Sequence, residues 1–305
     1  MLPDELMREV RRLRIGAKRR VDDLFAGEYH SAFRGQGIEF AEVREYEPGD
    51  DVRSIDWNVT ARAGRPFIKR FTEERELTVV LCVDLSASQG FGTRRKTKAR
   101  LAAEAAAVLS LAASKNNDRV GLLTFRDELG AFLPPAKGQQ HQLRLIRELL
   151  AAEAHGRATA LPEAVSFLDR VLKRRSIVFL LGDFLLRTEA EAEALDLPLR
   201  LLARRHEVIA LRTLDPAERA LPAIGLIEFE DPETGRRVLF DAGSRRARRS
   251  AERRAAEENA RLGELLRRAG VDLVELSTDR PLGDDLAAYF HRRGAHDGRP
   301  RRSAR

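Results

Sequence analysis

Cysteine is nearly absent from this chain, with one residue, Cys82, in 305. One thiol cannot close an intramolecular disulfide, and without a Cys/His cluster the sequence offers no zinc site. Cys82 lies inside an apolar run, where a thiol behaves as a small buried hydrophobe. No run approaches the roughly 18 apolar residues of a membrane-spanning helix. The opening stretch MLPDELMREVRRLRI is charged and amphipathic and has no apolar signal-peptide core, so the cytoplasm is the expected location. Glycine-rich phosphate loops of the Walker type and a G-x-S-x-G elbow are missing too. Of the histidines, His30, His141, His155 and His206 read as surface or loop residues, none spaced as a Ser/Asp partner.

What is present is enough apolar material, 43% of residues, for one large or two ordinary domains, with 34% charged residues. The net charge of +7 gathers in Ser244–Arg254 (SRRARRSAERR) and in the tail from Arg292 to Arg305. Both read as solvated surface. Nucleic-acid binding through them stays an alternative, although no aromatic residues interleave the arginines.

From Leu77 onward apolar strand-like runs alternate with helical patterns, which predicts an α/β domain with a mainly parallel, doubly wound sheet. LTVVLCVD and SIVFLLGDF are apolar without alternation, as strands covered on both faces are. Helices are predicted over Arg94–Asn116, Gly138–Glu153, Thr159–Arg175, about Glu189–Arg205 and Ser244–Ala269, and a short one from Leu282. Strands DRVGLLTF, EVIALRTLD and VDLVELS complete the alternation. GLIEFEDPETGRRVLFD breaks the rhythm as an antiparallel hairpin inserted late. The expected layout is an N-terminal helix and irregular, partly β segment over 1–76 packed on a main domain over 77–293, then a disordered basic tail over 294–305.

Both doubly buried strands end in an aspartate, Asp84 and Asp183, where an open α/β sheet places its ligand crevice. Ser86 and Ser88 follow Asp84 at alternate positions, so an extended backbone sends both hydroxyls to one side. Thr159 opens a predicted helix that has Pro162 in its first turn, so its hydroxyl can face the same crevice. Hard oxygen donors of low total charge, without His or Cys, suit Mg²⁺ or Mn²⁺. Helix capping by the serines and arginine pairing of the aspartates are the competing readings.

The series Asp84-x-Ser86-x-Ser88, Thr159 and Asp183 resembles the metal-ion-dependent adhesion site of von Willebrand factor A domains over about residues 77–290. Two positions depart from that pattern. The threonine loop reads Arg-Ala-Thr where glycines are commoner, and Phe184 follows Asp183 in place of glycine. A second stretch, GQGIEFAEVREYEPGDDVRSIDW, is similar to the signature of the domain of unknown function 58 family, as is the late hairpin. That resemblance implies a bacterial or archaeal protein with a von Willebrand A-like domain. Members are often encoded near a MoxR-type AAA+ ATPase, and the resemblance implies action with it in assembly or maturation of other proteins. Many relatives carry transmembrane helices ahead of the signature, and this chain shows none. The implied function is a non-enzymatic, metal-dependent protein-binding module. A metal-assisted phosphohydrolase with Asp84 as nucleophile is the enzymatic alternative, but the second aspartate that chemistry needs is replaced by Ser86.

In the signature, Glu39, Arg44, Glu45, Asp50, Asp51, Arg53 and Asp56 alternate in charge around Trp57, with Gly35, Gly37 and Gly49 as turn residues. The favoured reading is an ion-pair clamp that holds the segment on the α/β domain, so that neutralising Arg53 would unfold or detach it.

Overall fold

The structure is a computed structural model that describes residues 3–21, 29, 32–33, 39–72, 76–152, 156, 159–186, 188–230 and 237–296. Helix α1 (Pro3–Arg20) opens the chain, followed by strand β1 (Glu39–Glu45), helix α2 (Trp57–Ala63) and strand β2 (Phe67–Thr72). The α/β unit then runs β3 (Thr78–Asp84), α3 (Lys98–Lys115), β4 (Arg119–Phe125), β5 (Leu129–Ala136), α4 (Gln139–Ala151), α5 (Leu161–Val171), β6 (Ile177–Gly182) and α6 (Glu189–Arg205). It closes with β7 (Glu207–Leu214), the single turn α7 (Pro216–Arg219), the ribbon β8 (Leu226–Glu230) and β9 (Arg237–Asp241), then α8 (Arg245–Ala269), β10 (Asp272–Ser277) and α9 (Leu282–His296).

The main sheet has six strands in the order β10-β7-β6-β3-β4-β5, parallel throughout except for β5, which runs antiparallel to β4. Counted within the unit this is the doubly wound order in which the first and fourth strands lie side by side. The expected von Willebrand A-like, Rossmann-type layering is therefore present. Alternate residues of β3 explain the two layers. Val79, Leu81 and Val83 enter one core, and Val80 and Cys82 enter the other. The first core is closed by α1, α3, α4 and α9 through residues such as Val10, Leu101, Leu145 and Phe290. The second is closed by α5, α6 and α8 through Val165, Leu199 and Leu265. Among the described residues, no helix is long and apolar enough to cross a membrane.

Several boundaries differ from the sequence reading. The helix expected from Arg94 starts at Lys98, because Thr97 caps it by accepting from the Arg100 N–H. Edge strand β5 was not foreseen; Pro134 and Pro135 suppress a strand reading, and an edge is where a sheet tolerates them. His206 is buried, not surface, and its Nδ1 accepts from the Ser176 N–H at 3.2 Å. His141 places Nε2 2.7 Å from the Val120 carbonyl, whereas His30 and His155 lie outside the described residues. The last helix reaches His296, and residues 297–305 of the expected tail are also outside them.

The N-terminal region meets the α/β unit through apolar burial. Val10, Leu13, Ala17 and Val21 recur at helical spacing and join the first core. Phe33 stacks edge-on against Phe179 and Phe290, with centroids 5.9 Å and 5.6 Å apart. Tyr29 donates to buried Asp118 at 3.4 Å.

The interactions described for the signature charges are local ones. Arg44 pairs with Asp50 at 2.7 Å and Arg65 with Glu45 at 3.2 Å, so these pairs lie inside the segment. Asp51 caps a short 3₁₀ turn and Asp56 caps α2, accepting from the Asn58 and Val59 N–H groups. The Arg53 side chain is exposed with no ion pair among the described residues, and Trp57 is 70% exposed. The Glu39 side chain, Gly35 and Gly37 are outside those residues. The local sequence accounts for this: acids one residue before a turn or helix are caps, which need no distant partner.

Candidate metal centre at the sheet switch point

Strands β3 and β6 are the adjacent pair from which the chain winds in opposite directions, and their carboxyl ends hold Asp84 and Asp183. The two lie close because of Gly182. A Cβ there would stand 2.9 Å from the Asp84 Cβ and 3.2 Å from its Oδ2, so the absence of a side chain lets Asp84 lean over β6. Asp84 is buried and its Oδ1 accepts from the Ser86 N–H at 2.8 Å. The Ser86 and Ser88 hydroxyls are 3.1 Å apart, both residues being buried. Ser86 stands at the N-cap of a 3₁₀ turn over Ala87–Gly90 but its side chain caps nothing, so the capping alternative does not describe it.

Thr159 joins Asp84 and Asp183 from the loop before α5, whereas Ser86 and Ser88 do not line the cavity these three share. Ala160, not Thr159, is the N-cap of that helix, and the Thr159 Oγ1 is buried without a hydrogen-bond partner among the described residues. Such an atom calls for an explanation, since buried hydroxyls are almost always bonded. Asp84, Thr159 and Asp183 line one cavity of about 110 Å³ with Glu163 and Glu191. At about 30 Å³ of liquid volume per water, it has room for a small cation with part of its hydration shell.

The electrostatics mark Asp84. Burial first, and the Asp183 charge second, push its carboxyl up to about 7 from the ordinary 3.8, against opposing hydrogen bonds from Ser86. A position whose carboxylate is this costly to ionise is one that a cation would relieve.

Asp183 has the cationic partner expected of it, but a lysine supplies it. Lys98, the first residue of α3, is 1% exposed and places Nζ 2.8 Å from Asp183 Oδ2 and 2.5 Å from Glu218 Oε1. Burial alone would lower the Lys98 ammonium, but Asp183 and Glu218 outweigh it and raise the group above its usual range. Buried Arg212, on β7, donates from Nε to the Asp183 carbonyl at 3.1 Å. Phe184, where the resemblance would put glycine, adopts left-handed φ of 53° and is buried. A bulky residue there is strained, and such strain gathers at functional sites.

Lys98, Glu218 and Arg212 were not legible as site residues. Lys98 hides in the basic run RRKTK at the start of the helix predicted over Arg94–Asn116. One signal was available: a cation in the first turn of a helix opposes the macrodipole, so a lysine directly after an N-cap threonine needs a carboxylate from elsewhere. Nothing local distinguishes Arg212 or Glu218.

The donors fit a hard divalent cation in chemistry: among the described residues the Thr159 oxygen has no partner, and Asp183 is engaged by the Lys98 ammonium. Among known proteins, this chain is 35% identical over 301 residues to the uncharacterized proteins Mb1516 of Mycobacterium bovis and Rv1480 of Mycobacterium tuberculosis, covering 96% of this chain and 92% of each relative. A crystal structure of an aerotolerance-related membrane protein from Bacteroides fragilis aligns at a TM-score of 0.43 and 14% identity, over 72% of this chain and 98% of that one. The profile of the family described as protein of unknown function DUF58 matches residues 42–261, and this chain belongs to that family.

Proposed function

We propose that this chain is a metal-dependent protein-interaction module and not an enzyme. Asp84, Ser86, Ser88, Thr159 and Asp183 would hold Mg²⁺ or Mn²⁺ at the β3–β6 switch point. When bound, the ion would supply a Lewis-acidic position to which an Asp or Glu of a partner adds its oxygen. The observation that supports this best is the buried Thr159 Oγ1, which has no partner among the described residues, in one cavity with two strand-end carboxylates. A MoxR-type AAA+ ATPase is the partner we put forward, with the cytoplasm as the place of action.

The test is a pull-down of the purified ATPase from the same genome by this chain, with Mg²⁺ and with chelator, using wild type and Asp84→Ala. Capture that requires the cation and disappears in Asp84→Ala supports the reading. Equal capture in chelator would sink the metal-dependent mode.

A further inference from the structure

Lys98 occupies a place that ordinary packing does not explain. Its ammonium is buried at the mouth of a sheet crevice and sits between two carboxylates from different elements, Asp183 after β6 and Glu218 in α7. Glu218 is itself fixed, since its other oxygen accepts from the Asp215 N–H at 2.9 Å. Asp215 in turn is buried and accepts from the Thr93 N–H and hydroxyl and from the Thr278 hydroxyl, at 2.8, 2.6 and 2.7 Å. Glu218 is therefore a prepared second seat for the ammonium, at 2.5 Å, on the side away from the Asp84–Thr159 cavity that it does not line.

We propose that Lys98 is a tethered competitor for the cation site, neutralising Asp183 until a divalent ion displaces its ammonium from Asp183 and leaves it paired with Glu218 alone. This rests on the metal-site reading above. A divalent ion held by Asp84 and Asp183 would face the ammonium at close range and repel it. The ion and the ammonium compete for the charge of Asp183 and for its Oδ2, and Glu218 makes release of Lys98 possible without leaving a buried charge unpaired. Lys98 thus lowers the affinity of the site, and Glu218 limits how far it is lowered. A site of this kind responds to a high local cation activity, or to a partner carboxylate arriving with the ion, and stays closed otherwise.

The experiment is Mn²⁺ binding to the full chain by titration calorimetry, paired with Mn²⁺-dependent thermal melts. Wild type, Lys98→Met, Glu218→Gln and Asp84→Asn are compared. Lys98→Met is expected to bind Mn²⁺ at least tenfold more tightly than wild type, to melt lower in chelator, and to gain more from Mn²⁺. Glu218→Gln should bind several-fold more weakly than wild type, and Asp84→Asn should not bind. Equal affinity in wild type, Lys98→Met and Glu218→Gln would overturn the competition while leaving the metal site standing. Binding that is undetectable in every protein, or that survives intact in Asp84→Asn, would overturn the site reading and the competition with it. If Lys98→Met does not fold, Lys98→Gln takes its place under the same criterion, and the weakening in Glu218→Gln decides independently.

Discussion

Replacing Asp84 by asparagine should stabilise the metal-free protein more at pH 8 than at pH 5. The Asp84 carboxyl sits at about 7 in the fold, first because it is buried and second because Asp183 is close, against 3.8 for the free group. The folded state therefore holds this proton more tightly than the unfolded chain does. Its contribution is fully present below the unfolded value and is lost as pH rises through about 7. At about 1.4 kcal/mol per pH unit, the whole cost of ionising Asp84 has an upper bound of about 4 kcal/mol. Between pH 5 and pH 8 roughly 2–3 kcal/mol of it accrues. Asparagine carries no charge and keeps an oxygen for the Ser86 N–H, but its amide nitrogen must lie against Gly182. That packing cost does not depend on pH, so the decisive quantity is the change in the stability gap between the two pH values. Asp118, pushed up to about 6 mainly by burial, titrates in both proteins and cancels. Urea denaturation in chelator at both pH values measures the gap by linear extrapolation. An increase of about 2 kcal/mol in favour of the variant is expected. A gap independent of pH, or one that shrinks towards pH 8, would refute the account of the crevice electrostatics.

Other consequences are equally direct. Asp215→Ala removes the acceptor that ties the loop after β3 to β7 and β10, and a charge-assisted acceptor of this kind costs on the order of 3 kcal/mol to lose in an equilibrium melt. Burial raises the Asp215 carboxyl, but hydrogen bonds from Thr278 and Thr93 outweigh it and hold the group below its usual range. The stability it gives is therefore present above about pH 4 and lost as pH falls further, so the Asp215→Ala deficit should narrow in strong acid. In the signature segment, Asp56→Ala should cost about 1 kcal/mol through the lost cap of α2, whereas exposed Arg53→Ala should stay within about 0.5 kcal/mol of wild type. A severe loss of stability in Arg53→Ala would restore the clamp that the structure does not support.

The fold was legible because the central strands β3 and β6 are apolar on both faces and the longer helices keep an apolar stripe. Those patterns survive in sequence whatever the partner elements are. Asp84, Ser86 and Ser88 were legible for the same local reason, sitting where a buried run stops. What escaped was set by tertiary placement. The meaning of Lys98 depends on α3 beginning beneath the ends of β6 and α7, and no spacing within RRKTKAR encodes that. The signature charges read differently, because a dense alternation of signs looks like one network when Asp51 and Asp56 cap local turns and Glu45 and Asp50 pair within their own segment.

Asp84 and Asp183 are neighbours in the sheet but about a hundred residues apart along the chain, joined only after two crossovers and the β5 edge have been made. Contacts of such separation form late, since the closure entropy of the intervening chain must be met first. A chain in which β3 and β6 have not yet paired thus holds the two carboxylates apart, and the crevice between them does not exist until that pairing is made. Whatever recognises this crevice recognises, by the same token, a finished molecule.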